Sequence, residues 1–276
     1  MGARRWLQRA VKGAAVAADA VRRPPEGVVV LIYHRVGGGS SSEVDLPADR
    51  FDQQLAWLVE RGRPIALADA VEVIAGRAPA PATGDGGPPV VVTFDDGTAD
   101  FTDVAVPLLV RHGVPATLYA ATEFIDEGRP FPGDAPPASW AALADACATG
   151  LVSVGSHTHR HRLLDRLEPG AVADELDRSI ELIGEHVGTA PIDFAYPKAV
   201  LGSPPARDAI ADRFRSAAVA GTRANPVGSD LQRLARSPIQ RGDAPAHVRR
   251  KADGGMALED QLRGLLNRRR YTGATT

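Results

Sequence analysis

The chain has a single cysteine, Cys147. One thiol excludes an intrachain disulfide and a cysteine-rich metal site, and it does not fix the compartment. No stretch approaches ~18 uninterrupted apolar residues, so no membrane-spanning helix is expected. Net charge is almost absent: 32 basic against 34 acidic side chains leave -2. Whole-chain electrostatics therefore do not argue for a nucleic-acid partner. Lysine is scarce, three against 29 arginines, which reads as coding bias before function. What is present is ordinary globular material, 44% hydrophobic and 24% charged. That composition supports a sizeable core and excludes global disorder or a collagen-like chain. At ~150 residues per domain the length suggests about two domains, yet α/β barrels of roughly 200–250 residues fold as one.

Residues 1–26 carry Arg4, Arg5, Arg9, Lys12, Arg22 and Arg23 against Asp19 and Glu26, six minus two for a local charge of +4. Trp6, Leu7, Ala10, Val11, Ala14 and Ala18 recur at helical spacing. Two readings stand side by side. One is an amphipathic helix in peripheral contact with an anionic membrane surface, the other a solvated or packed arm. The apolar part is too short for a secretory signal.

Residues 28–33, 90–94, 116–121, 151–155, 193–196 and 217–220 are short apolar runs that read as strands. Helical patterns fill 51–61, 101–112, 140–148, 169–187, 205–213 and 258–269, and residues 76–89, with four Pro and four Gly, read as a surface loop. Pro107 marks a kink or late start within its helix. Alternating strands and helices predict βαβ units and a mainly parallel sheet, the α/β class.

Four strand ends carry chemistry. Thr93, Phe94, Asp95, Asp96 and Gly97 place two adjacent carboxylates where a buried strand meets a turn. Ligands of parallel sheets bind beyond such carboxyl ends. The plain alternative is a helix cap and a turn acid. His157, His159 and His161 fall within five residues after another strand. Imidazole is the commonest protein ligand of zinc-like metals, and two of the three are expected to bind. Tyr33, His34, Arg35 and Val36 put a histidine at a third strand end, where it can transfer protons or serve as a hydrogen-bonded structural group. Phe194, Ala195, Tyr196 and Pro197 end a fourth. They read as an aromatic wall with backbone amides at the rim, or as a core strand stopped by proline.

Together these motifs resemble the polysaccharide deacetylase superfamily, the NodB homology domain of carbohydrate esterase family 4. Residues 93–97 look like its first motif, in which the first Asp is base and the second a metal ligand. Residues 157–161 match its His-Ser/Thr-x-x-His motif, whose outer histidines bind the metal. Trp140 and the residues up to Gly155 resemble the preceding segment, and 194–197 the Phe-Ala-Tyr-Pro form of the third motif. Residues 33–36 are similar to the early motif of the circularly permuted branch, which includes poly-N-acetylglucosamine de-N-acetylases. A late-strand catalytic histidine is missing, because His247 sits without an apolar strand. The third motif lacks the usual Arg, Lys198 and Ala199 replace an aromatic-Gly pair, and Arg236 matches an Arg on a late strand of the permuted branch.

The resemblance implies a single distorted (β/α)7 barrel over residues 27–245, flanked by the arm at 1–26 and a C-terminal helix and tail at 246–276. It implies a divalent metal on Asp96, His157 and His161, with His159 as the alternative ligand. Zinc suits these donors, and cobalt, nickel or manganese fit as well. Asp95 is then the base and His34 the acid. The amide after Pro197, that of Lys198, holds the oxyanion, with Phe194, Tyr196, Trp140 and Arg236 around the substrate. The expected reaction is removal of N-acetyl groups from an acetylated glycan. O-acetyl ester or small-amide hydrolysis, and a non-catalytic carbohydrate-binding barrel, are the alternatives. The compartment reads as cytoplasmic or membrane-peripheral from the residues and as cell envelope from the resemblance.

Overall fold

The computed structural model describes residues 26–258. In chain order the strands are β1 (Val29–Tyr33), β2 (Arg35–Val36), β3 (Asp45–Leu46), β4 (Val90–Asp96), β5 (Ala116–Ala120), β6 (Val152–Ser156), β7 (Asp193–Ala195), β8 (Ser216–Ala220) and β9 (Leu234–Pro238). Seven of them, β1 and β4 to β9, close a parallel barrel in sequence order, with β9 pairing back onto β1. β2 and β3 form a separate two-stranded ribbon. Eight α-helices accompany them among the described residues: α1 (Ala48–Glu60), α2 (Leu67–Ile74), α3 (Val106–His112), α4 (Thr122–Asp126), α5 (Trp140–Ala148), α6 (Pro169–Val187), α7 (Pro204–Ala211) and α8 (Pro245–Ala252).

All five residues of β1 are buried, as expected of a strand covered on both faces. Its alternate side chains serve different cores. Val28, Val30, Val91, Tyr119, Ala195, Ala218 and Leu234 pack with Leu67, Ala70, Val71, Val73 and Ile74 of α2, so this helix closes the amino end of the barrel. Val29, Leu31, Val92 and Phe94 pack instead with Phe51, Leu55 and Leu58 of α1 and with Leu109 of α3. Phe194 and Ala217 pack with Leu176 of α6 and Ile210 of α7. Each such Leu or Phe contributes roughly 1.5–3 kcal/mol of transfer free energy.

The helix expected across residues 101–112 divides at its proline. Pro107 has no N–H to give to a carbonyl one turn back. The chain widens into a π-turn over Phe101–Ala105, and α3 begins at Val106 and stops at left-handed Gly113. Helix α2 lies in no element predicted from the sequence; it has no side-chain cap and owes its place to the apolar face it lays against the barrel. The β8–β9 connection carries the 3-10 turn Leu231–Arg233 and no described α-helix. Helix α8 is fixed to the barrel by fully buried Lys251, which donates to the carbonyl of Pro238 at 2.8 Å and pairs with Asp243 at 2.9 Å. The packed unit therefore extends past residue 245. The helix expected over 258–269, apart from Leu258, and the arm, apart from Glu26, lie outside the described residues. No described helix is long and apolar enough to cross a membrane.

Candidate metal centre

β4 delivers both carboxylates. Asp95 continues the inward series of Val91 and Thr93 and meets Arg236 of β9 inside the barrel. The contact is bidentate, Nη1 to Oδ1 at 2.6 Å and Nη2 to Oδ2 at 2.9 Å. Arg236 is fully buried, and its guanidinium lies over the Tyr119 ring at 5.0 Å. Burial pushes the Asp95 carboxyl up, but Arg236, His157 and His34 together pull it down to about 2. Asp96 adopts a left-handed backbone, φ 76°, which is uncommon for a non-glycine residue. Its carboxylate oxygen lies 3.8 Å from His157 Nε2 and 3.5 Å from His161 Nε2.

β6 leads into the histidine turn. A Cβ on Gly155 would lie 2.7 Å from both the Asp193 carbonyl and a Tyr119 ring carbon, so only glycine lets this strand sit against its neighbours. His157 Nδ1 lies 2.7 Å from the carbonyl oxygen of Ala195. A carbonyl only accepts, so Nδ1 carries a proton, and in the neutral ring the Nε2 lone pair is available to a ligand. His157 and His161 have ring centroids 4.8 Å apart. Burial, with the neighbouring His157, depresses His161 to about 4 against the pull of Asp96. At neutral pH His161 is therefore an uncharged imidazole, the form that binds metals.

Donor atoms of Asp96, His157 and His161 all lie within 4.8 Å of one another. One carboxylate and two imidazoles with free nitrogens fit a divalent ion of the zinc type. His159 is not part of this cluster. Its Nδ1 lies 2.9 Å from Thr122 Oγ1, which turns the ring toward α4, so it does not replace either neighbour.

His34, half-buried, sits on the link between β1 and β2 and is the smallest of the influences that lower the Asp95 carboxyl. Arg35 Nε and the Val36 amide both donate to Asp100, at 2.7 and 3.2 Å. This ties the His34 segment to the turn that follows Asp96. Lys198 and Ala199, after buried Pro197, both have positive φ, 53° and 56°. Lys198 is exposed, and its charge is felt at His161.

Three expected substrate residues lie elsewhere. Phe194 and Tyr196 are 0% and 1% exposed and pack outside the barrel in the core with Phe214 and Ile210, because Ala195 takes the inward position of this strand. They therefore form no aromatic wall at the mouth. Trp140 belongs to the helical layer: its ring stacks on His186 at 4.8 Å and its Nε1 donates to Asp126 at 3.2 Å. His247 is on the first turn of α8 and meets the Ala244 amide.

Asp100 and Glu175 lie outside the motifs read from the sequence. The latter is an acid on the buried stripe of α6, with Val172, Leu176, Ser179 and Ile183. A charge on an apolar stripe was the available signal.

These features define a class: an α/β barrel with a candidate metal centre at the carboxyl ends of its strands. The polysaccharide deacetylase family model matches residues 83–210. The Bacillus subtilis protein YxkH, assigned by name to the polysaccharide deacetylases, is 24% identical over 173 residues, 63% of this chain and 57% of YxkH. The poly-beta-1,6-N-acetyl-D-glucosamine N-deacetylase of Escherichia coli is 26% identical over 150 residues, 49% of this chain and 21% of that enzyme. The solved structure of IcaB from Ammonifex degensii superimposes with a TM-score of 0.70 at 28% identity, covering 83% of this chain and 97% of IcaB. Over these matched stretches the chain is similar to polysaccharide deacetylases.

Proposed function

We propose that the protein hydrolyses N-acetyl groups of an amino-sugar polysaccharide or oligosaccharide at the Asp96–His157–His161 centre. One observation carries the reading: a carboxylate locked in its ionised form, Asp95, stands directly beside the ligand cluster, 3.8 Å from His157 Nε2. A simple structural ion pair would not need three further donor groups converging on its edge. The name of the Escherichia coli relative supports poly-N-acetylglucosamine as the substrate class.

A divalent ion bound by Asp96, His157 and His161 would supply Lewis acidity, lowering the pKa of water and polarising the acetyl carbonyl. The protein's own groups do the rest. Asp95 accepts the proton from the attacking water. Arg236 keeps it ionised and fixes both of its oxygens, which also limits its basicity. His34 donates a proton to the departing amine. The Lys198 amide donates to the developing oxyanion, an interaction worth ~3 kcal/mol in other enzymes. Arg236 is a positioning residue here, because it touches Asp95 from inside the barrel.

The test is a mass-spectrometric screen of acetylated amino sugars with zinc-loaded protein. Loss of one acetyl group from an N-acetylated oligosaccharide is the expected result. Turnover confined to O-acetyl esters would replace this reading with an esterase.

A further inference from the structure

Within the turn that carries His157 and His161, Thr158 and His161 both have left-handed backbones, φ 66° and 56°. Such conformations are unfavourable for residues with a Cβ and persist only where their surroundings hold them. Several backbone contacts do so. The Thr122 and Glu123 amides of α4 donate to the carbonyls of Thr158 and His159, at 3.3 and 2.9 Å. The His159 amide donates to the carbonyl of Glu175 at 3.0 Å.

One contact is of another kind. The Arg160 amide donates to Glu175 Oε2 at 2.7 Å. Glu175 is fully buried, and its other carboxylate oxygen has no hydrogen-bond partner. Arg160 Nη1 stands 3.6 Å from that oxygen, on a side chain half open to solvent. A buried carboxylate is costly to keep, and an apolar residue of the same volume often serves stability as well or better. Packing alone therefore does not explain an acid here.

We propose that Glu175 is a positioning residue for the metal-ligating turn: by accepting the Arg160 N–H it fixes the strained backbone between His157 and His161, and so sets their spacing for a divalent ion. The inference rests on the reading of Asp96, His157 and His161 as metal ligands. Partners that orient metal ligands typically change affinity roughly 10–100-fold when removed.

The test measures zinc affinity by calorimetry and the melting temperature of the metal-free protein for Glu175→Met and Glu175→Gln. Methionine keeps the length and removes the acceptor; glutamine keeps an acceptor oxygen. Glu175→Met is expected to bind zinc about 10–100-fold more weakly while the metal-free protein melts at or above the wild-type temperature. Glu175→Gln is expected to retain most of the affinity. A purely structural role gives the reverse pattern, a lower melting temperature with unchanged zinc affinity, and overturns the proposal. So does a Glu175→Met protein that fails to fold, or a Glu175→Gln protein as impaired as the Met variant. His161→Ala serves as the control. If that variant binds zinc like the wild type, the metal centre itself is misassigned, which is a different failure.

Discussion

At the amino end of the barrel, α2 lays Leu67, Val71 and Ile74 against Val28, Val30 and Val91. At the carboxyl rim the same strands end in charges and unfavourable backbone. Of the seven described non-glycine residues with positive φ, five are there: Asp96, Thr158, His161, Lys198 and Ala199. The buried Asp95–Arg236 pair lies just beneath them. One end is built by apolar burial, which tolerates approximate shape. The other holds costly conformations and charges in place, as functional sites commonly do. Changes at the rim should alter chemistry and metal binding, and changes at the amino end should alter stability alone.

The largest expected effects probe the rim. Asp95→Asn should keep its metal and lose about 10²–10⁴-fold in turnover, the usual range for a general acid-base group. His34→Ala should lose a similar factor on N-acetyl sugars and less on an activated acetyl ester, whose leaving group needs less protonation. Metal analysis with kinetics on both substrates checks the pair. Equal losses on amide and ester would make His34 a structural residue.

Arg236→Met comes next. It leaves Asp95 buried without its counter-charge, which should cost ~3–5 kcal/mol in urea unfolding at neutral pH. The pH dependence should also change sign. In the wild type the Asp95 pKa is depressed to about 2, against ~3.9 in an unfolded chain. Its contribution is therefore present above about pH 4 and is lost as pH falls toward 2. Without Arg236, burial raises the carboxyl instead, and acidification should recover stability. A variant that follows the wild-type acid limb would refute the locked pair.

Ile74→Ala tests the opposite end. Truncating a fully buried side chain there should cost about 2–5 kcal/mol with zinc affinity and turnover per folded molecule unchanged. A loss of activity in the folded variant would erase the distinction between the two ends. The smallest effect is expected at Ala199→Gly, where relief of the left-handed backbone should raise stability by up to ~1 kcal/mol, less the entropy glycine adds to the unfolded chain. Thermal melts resolve a shift of that size.

Much of this is readable in the chain alone. Runs such as 28–33 and 90–94 are apolar and β-branched, and that composition suits strands buried on both faces. The 169–187 helix coincides with α6 because a proline opens it and a left-handed glycine closes it. The donors of the candidate centre lie in two short motifs, where spacing and residue type are local properties. Direction and long-range pairing were not readable in this way. Whether Phe194 or Ala195 faces the lumen turns on a single step of strand alternation, and that step is decided by which side the barrel closes. Trp140 stands in the same segment in either case, yet stacking on His186 of a later helix fixes it in the outer layer. Asp95 and Arg236 are 141 residues apart, and no local pattern announces their contact. The left-handed turn at His157–His161 is unfavourable in the isolated chain, so it exists only because α4 and α6 are packed beneath it. Local residue chemistry selects strands, helices and ligand types, while closure of the barrel selects which side chains meet inside it.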